Sequence, residues 1–228
     1  MTRKKSSDST PVMLKKRRSF KNTTNKVYSL ETVSKPQVES TAFKSVSGKV
    51  IAKLMNSMSE EEFSSKYVLV DCRYPYEYSG GHLRGAINIF DTAQVAEVFF
   101  PPCEELFREI SLKIPIFYCE YSQKRGPTMA NKLRQLDRQR NVENYPEVDY
   151  KEIYLLDRGY KKFFEVDNLV HLCEPQSYIS MSATPHKEDL KHYHFHKSRS
   201  SDSFDSVTLE VQPLTDGRRI KHKFVGTC

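Results

Sequence analysis

The chain contains no tryptophan, no apolar run long enough to span a bilayer, and no C-x2-C pair or cysteine–histidine cluster at zinc spacing. Membrane insertion is thereby disfavoured, and neither a metal nor an organic cofactor is expected. No apolar segment follows the basic start, which argues against secretion as well. The expected protein is soluble and intracellular, a setting in which Cys72, Cys103, Cys119, Cys173 and Cys228 default to free thiols. Basic charge is also scarce outside one stretch. The formal net charge is +7, yet residues 1–26 carry nine Lys/Arg against Asp8, and the rest of the chain has 27 basic and 28 acidic residues. A generally basic nucleic-acid-binding surface is therefore not expected of the globular part.

What is present divides into three. Residues 1–42 are rich in Ser, Thr, Lys and Arg and poor in periodic apolar positions, so they read as a disordered arm. Within it, Lys15-Lys16-Arg17-Arg18 has the composition of an import signal or of a plain solvated tail, and Arg17-Arg18-Ser19 that of a basic-directed phosphorylation site. Residues 43–190 carry the pattern of one globular domain, a size that 228 residues accommodate once. Ser47 caps a predicted helix with Val50, Ile51, Leu54, Met55 and Met58 on one face. Tyr67–Val70, Ala86–Ile89, Ile114–Tyr118 and Ile153–Leu156 read as strands, the first ending at Asp71. Thr92–Phe100 and Glu104–Ile110 read as helices parted by Pro101-Pro102, and Gly159–Phe164 as a helix start. Apolar periodicity fades beyond Tyr178, and residues 191–228 read as a disordered tail. In that tail His192-Tyr193-His194-Phe195-His196 could hold a metal but reads better as plain tail.

The chemistry concentrates in Cys119-Glu120-Tyr121-Ser122-Gln123-Lys124-Arg125, a turn between the strand Ile114–Tyr118 and a helix opened by Gly126-Pro127. Cysteine and arginine with five residues between them suit a phosphate ester. The N–H groups of residues 120–125 can converge on one dianion, and Arg125 can grip two of its oxygens. The positive end of the helix would favour a thiolate at Cys119. Ser122 is a candidate donor to the thiolate or the phosphate. The spacing alone is equally compatible with a buried structural cysteine after a core strand.

Flanking blocks decide between these. Asp71-Cys72-Arg73-Tyr74-Pro75-Tyr76-Glu77-Tyr78, within a longer stretch from Tyr67 to Asn88, resembles the first signature of rhodanese-like domains in the version typical of the M-phase inducer phosphatases. Tyr145-Pro146-Glu147, Glu152–Leu156, Gly159–Phe164 and Cys173–Tyr178 are similar to the same family in the same order, so the resemblance covers about residues 43–190. It implies an α/β fold, a three-layer domain with a central parallel sheet flanked by helices. It also implies a dual-specificity phosphatase that acts through a phosphocysteine on a cyclin-dependent kinase–cyclin complex phosphorylated on adjacent Thr and Tyr. Cys119 would then be the nucleophile, with Arg125 and Glu120 also in the catalytic set and Glu120, Tyr121, Ser122, Gln123, Lys124 and Arg125 around the phosphate. Cys72 would be a redox partner able to form a disulfide with the nucleophile. Arg134 and Arg138, at i and i+4 on one helix face, would join Tyr145 in docking the kinase. A monomer in nucleus and cytoplasm follows from the same resemblance. Arg73, Glu77 and His82 read instead as internal polar pairs of a turn.

The sequence departs from the family at Tyr118, where His is usual, at Lys124, where Glu is usual, and at Thr128, where Arg is usual; the run Gln139–Asn144 is also about two residues longer. The Glu matching Lys124 has been considered the family's general acid, and without tryptophan no Trp-Pro-Asp acid loop is possible. These departures keep open a catalytically weak kinase-binding protein. A sulfurtransferase on the same fold would carry the tighter C-x4-R loop, which this chain does not have.

Overall fold

The computed structural model describes residues 28–193. In chain order these form β1 (Lys44–Val46), α1 (Gly48–Ser57), α2 (Glu60–Lys66), β2 (Tyr67–Asp71), α3 (Pro75–Ser79), β3 (His82–Leu83), β4 (Ile87–Asn88), α4 (Thr92–Phe99), α5 (Glu104–Ser111), β5 (Ile114–Tyr118), α6 (Arg125–Arg140), β6 (Tyr154–Leu156), α7 (Gly159–Lys161), β7 (Cys173–Glu174) and α8 (Lys187–His192). Helix starts follow local chemistry. The Ser47 side chain accepts the Val50 N–H at the head of α1, and Ser59 with Glu62 closes a reciprocal capping box at the head of α2.

Five strands form one parallel sheet in the order β1-β6-β5-β2-β4, and β3 pairs with β7 as a separate antiparallel ribbon. The expected α/β architecture with a central parallel sheet between helical layers is the one observed. Strand alternation divides the core into two layers. Ile116, Tyr118, Leu69, Tyr154 and Leu156 pack with Ile51 of α1, Tyr160 and Phe163 on one side. On the other side Phe117, Cys119, Val70, Cys72 and Leu155 pack with Val95 and Phe99 of α4 and Met129 and Leu133 of α6. The parity of β5 therefore puts Cys119 on the α6 face. Because Asp71 pairs with Tyr118 in the parallel register of β2 and β5, Cys72 leaves its strand beside Cys119 on that same face.

Two expected boundaries move. Residues 28–42 have no regular secondary structure, yet they are packed rather than free. The Tyr28 ring meets Tyr154 edge-on at 5.4 Å, the Leu30 N–H donates to the Tyr154 hydroxyl at 2.9 Å, and the Val33 N–H donates to the Ser45 carbonyl at 2.8 Å, covering the open edge of β1. The disordered-arm expectation therefore fails for this part, because hydrogen bonds to an edge strand and to side chains anchor it without any apolar period. At the other end α8 crosses residue 190, and Tyr193 stacks on Tyr74 at 4.2 Å between ring centroids, so the ordered unit extends beyond the expected limit. The basic run Lys15–Arg18 and most of the histidine-rich stretch lie outside the described residues.

Candidate active site

The site sits at the C-terminal ends of β2 and β5, where the connections into α3 and α6 meet. In open parallel sheets such strand ends are where loops gather around a ligand. Cys119 follows β5 directly and is 3% exposed. Residues 120–124 form a chain of bends, and Arg125 is the first residue of a 16-residue helix, so the α6 N-terminus points into the turn. Among the described residues, the N–H groups of residues 120–124 donate to no backbone carbonyl. Ser122 has a left-handed backbone, φ 52°, and its buried hydroxyl accepts the Cys119 N–H at 3.4 Å.

The back of the turn is held from a distant part of the chain. The Cys119 carbonyl accepts the Tyr160 N–H at 2.9 Å, and the Glu120 carbonyl accepts the Lys161 N–H at 3.0 Å. Both carbonyls are thereby drawn to the outside of the turn, which leaves its N–H groups for the inside. Gly159 makes this contact possible. Its φ is +68°, and a Cβ there would lie 2.2 Å from the Cys119 carbonyl oxygen. The sequence reading took Gly159 only as a helix start and missed its support of the Cys119–Arg125 turn.

Arg125 is held by two carboxylates. Its guanidinium donates through Nη1 to Glu77 Oε2 and through Nη2 to Glu77 Oε1 at 3.0 Å, while Glu120 Oε2 lies 3.7 Å from Nη2. Tyr74, 4.9 Å from ring centroid to Cζ, covers one guanidinium face. Burial pushes the Glu77 carboxyl above the usual carboxylate range, with Arg125 and the Tyr74 N–H drawing it back. Burial by itself would weaken the Arg125 charge, and the Glu77 ion pair more than offsets it. Glu77 was assigned to an internal polar turn, and it does accept the Tyr74 N–H there at 3.0 Å; what that reading missed is its pairing with Arg125. Its block-mate Arg73 does behave as expected, with both Nε and Nη2 on Asp71 and Nη2 also on the Gly81 carbonyl at 2.6 Å. His82 turns to Tyr78, with its ring stacked at 3.7 Å.

Glu120 is buried, and one of its oxygens accepts a hydrogen bond from the Tyr178 hydroxyl. Burial and this bond push the Tyr178 phenol well above its ordinary range, so Tyr178 keeps its proton and donates. In this arrangement that Glu120 oxygen is occupied as an acceptor. Tyr178 itself was not foreseen. Tyr121, Gln123 and Lys124 are the exposed members of the turn.

Cys72 lies beside Cys119, and its N–H donates to the Tyr118 carbonyl at 2.7 Å. Burial pushes its thiol well above the ordinary value, and the neighbouring Cys119 and Asp71 add to the shift. Among the described residues no group of three or more His, Cys, Asp or Glu is arranged to hold a metal ion.

Comparison with known proteins fits this geometry. The rhodanese-like domain family matches residues 52–165. M-phase inducer phosphatase cdc-25.3 of Caenorhabditis elegans is 44% identical over 203 residues, covering 85% of this chain and 63% of that protein. M-phase inducer phosphatase cdc-25.2 of the same organism is 45% identical, covering 78% of this chain and 36% of that protein. Human M-phase inducer phosphatase 3 is 38% identical, covering 73% and 33%. The chain belongs to the M-phase inducer phosphatase family of rhodanese-like domains. It spans about a third to somewhat under two thirds of the length of these relatives. Among solved structures, a yeast protein tyrosine phosphatase of the rhodanese family aligns at 19% identity and TM-score 0.37, over 56% of this chain and 88% of that one.

The family's departures and docking positions can now be placed. Tyr118, where the family usually has His, points to the side of the sheet opposite Cys119, and its hydroxyl accepts the Leu83 N–H at 3.1 Å. It packs the layer on the side of the sheet opposite Cys119. Lys124 and Thr128 are exposed at the head of α6. The expected kinase-docking set does not share one surface. Arg138 and Tyr145 are exposed, but Arg134 is 5% exposed, donating to Asp137 Oδ2 at 3.0 Å and to the Ala42 carbonyl at 3.4 Å. The expectation that Arg134 and Arg138 share one helix face is corrected accordingly.

Proposed function

We propose that the chain is a cysteine-dependent protein phosphatase whose substrate is a cell-cycle kinase, the cyclin-dependent kinase–cyclin complex phosphorylated on adjacent Thr and Tyr. The observation that supports this most is the cradle itself. A cysteine and an arginine close the two ends of a turn whose carbonyls are tied back by Tyr160 and Lys161 while its N–H groups remain free for an anion. In the reaction the Cys119 thiolate attacks phosphorus as the bond to the leaving oxygen breaks, and that oxygen takes a proton. Water then attacks the phosphocysteine, inorganic phosphate departs and the thiolate returns. Arg125, oriented by Glu77, and the turn N–H groups stabilise the equatorial oxygens throughout.

The leaving-group proton is the demanding element. Lys124 stands where a carboxylic acid would be useful, and Glu120 is engaged as an acceptor by Tyr178. Aryl phosphates with acidic leaving groups should therefore turn over readily, and phosphothreonine disproportionately slowly. Arg138 and Tyr145 are the exposed candidates for docking the kinase. Cys72 is proposed to capture an oxidised Cys119 as a disulfide, so that inactivation by peroxide is reversed by thiol in the parent and becomes irreversible in Cys72→Ser.

The deciding experiment measures phosphate release from a doubly phosphorylated kinase peptide and from an activated aryl phosphate. Turnover by the parent and none by Cys119→Ser, with the phosphorylated partner still bound, supports the reading; turnover by Cys119→Ser near the parent rate refutes it.

A further inference from the structure

A basic groove adjoins the Cys119–Arg125 turn and shares Tyr121 with it. Its volume is about 530 Å³, and its wall is assembled from residues 35–37, Tyr121, Arg158 at the exit of β6, and side chains in and just after α7. The Gln37 N–H donates to Asp157 Oδ1 at 3.0 Å, which fixes the N-terminal segment against the β6 exit. The charges that line the groove are Lys35, Arg158, Lys161 and Lys162 against Glu165 alone. Lys162 is fully engaged, its Nζ lying 2.7 and 2.8 Å from the two oxygens of Asp167. The other three cations are loosely held. Arg158 Nε is 3.6 Å from Asp157 Oδ2, Lys161 Nζ reaches Glu165 only at 3.9 Å, and among the described residues Lys35 makes no ion pair. A basic groove of this kind fits a segment that carries carboxylates.

We infer that this groove reads the flank of the phosphorylated residue and takes acidic side chains of the substrate, with their carboxylates facing Lys35, Arg158 and Lys161. Position carries this as much as charge. The Lys161 N–H holds the Glu120 carbonyl at 3.0 Å, and its Nζ stands 5.7 Å from the centre of the Tyr121 ring. The groove therefore begins where the turn ends. In an extended substrate, side chains two and four residues from the phosphorylated one project to the same side as the phosphate, roughly 7 and 13 Å along the chain. Carboxylates there can enter the groove while the phosphate sits in the turn. The preference rests on the phosphatase reading, because a phosphate anchored by Arg125 is what sets that distance. Lys35 and Arg158 are exposed, so the attraction is modest and weakened by salt. It acts equally on bound substrate and transition state, and so lowers KM while leaving kcat unchanged.

The test uses phosphotyrosine peptides with Asp, Asn or Lys two and four residues to either side, assayed with the full chain. Asp peptides should exceed their Asn counterparts in kcat/KM by roughly five-fold, through KM alone, and high salt should shrink the margin below about two-fold without any substitution. In Lys35→Glu with Arg158→Asn the margin should vanish and Lys peptides should gain, while an aryl phosphate, which has no flank, turns over within about two-fold of the parent rate. Asparagine suits position 158 because it tolerates the left-handed backbone there, φ 61°. Binding of the same peptides to Cys119→Ser, followed by fluorescence anisotropy, gives the ranking without turnover. A parent that hydrolyses neither aryl phosphate nor peptide thus counts against the phosphatase reading, and the anisotropy ranking still decides the groove. Equal binding of Asp and Asn peptides, a margin that survives the double substitution, or a gain from a second phosphate where Asp gives none would each overturn the inference.

Discussion

Helix α6 carries two buried arginines, and its two ends use them differently. At the N-terminus Arg125 is bound by Glu77, with Glu120 further off, facing a turn of free N–H groups. Two turns on, Arg134 is bound by Asp137, which is itself saturated by Asn141 Nδ2 at 3.1 Å, the Asp149 N–H at 2.8 Å and the Tyr150 N–H at 3.1 Å. The first cluster opens onto an anion cradle, while the second ties α6 to the β6 approach and leaves Arg134 Nη2 buried without a hydrogen-bond partner among the described residues. Residue type and helix position do not separate the two; the partners do. The saturated Asp137 carboxylate serves structure, whereas the Arg125–Glu77 pair faces N–H groups that have no backbone acceptor among the described residues.

The comparison can be broken from either end, and the largest effect is expected at Arg125. Arg125→Lys keeps the charge but loses the planar fork, so kcat/KM on an aryl phosphate should fall by about 10³ while the melting temperature changes little. Gly159→Ala attacks the same cradle from behind. The added Cβ must displace the Cys119 carbonyl, so turnover should drop by roughly 10² and stability by about 1–3 kcal/mol, read by steady-state kinetics and urea unfolding. Glu77→Gln sharpens the contrast. It leaves a hydrogen-bonding side chain in place but removes the countercharge, and a loss of about ten-fold to a hundred-fold, mostly in kcat, is expected if Glu77 orients Arg125. Arg134→Leu reverses the pattern, with a stability loss of about 1–3 kcal/mol and kcat/KM on the aryl phosphate within about three-fold of the parent. Tyr178→Phe should have the smallest effect, a few-fold change in turnover of phosphothreonine relative to aryl phosphate, because it releases only one oxygen of Glu120. An Arg134→Leu variant that is stable but inactive would erase the distinction between the two ends of α6.

The same contrast marks how far the sequence could be read. Cys119 and Arg125 belong to one contiguous turn, and strand before and helix after are written in local periodicity, so their pairing was legible. Cys72 was legible through the family resemblance, and the parallel register of β2 and β5, which end together, gives the physical reason. That logic extends five residues further to Glu77, and only the reading of its block as an internal turn stopped it there. Gly159 and Tyr178 were harder. Tyr178 lies 58 residues from Glu120 in sequence, and no local pattern announces such a contact. Arg134 failed for a geometric reason. Positions i and i+4 on a helix differ by about 40° around its axis, so the edge of a buried stripe can fall between them. Here it does, and Leu133 and Asp137 carry Arg134 inward while Arg138 stays in solvent.

The account rests on Cys119 carrying the phosphoryl group between two half-reactions. Acid quenching of the protein during turnover of an activated aryl phosphate, followed by mass spectrometry of the peptide containing Cys119, tests this directly. A phosphoryl adduct on Cys119 that forms within one turnover and decays with release of inorganic phosphate is the predicted result. Turnover with no adduct on Cys119, or with the adduct on another side chain, would contradict it.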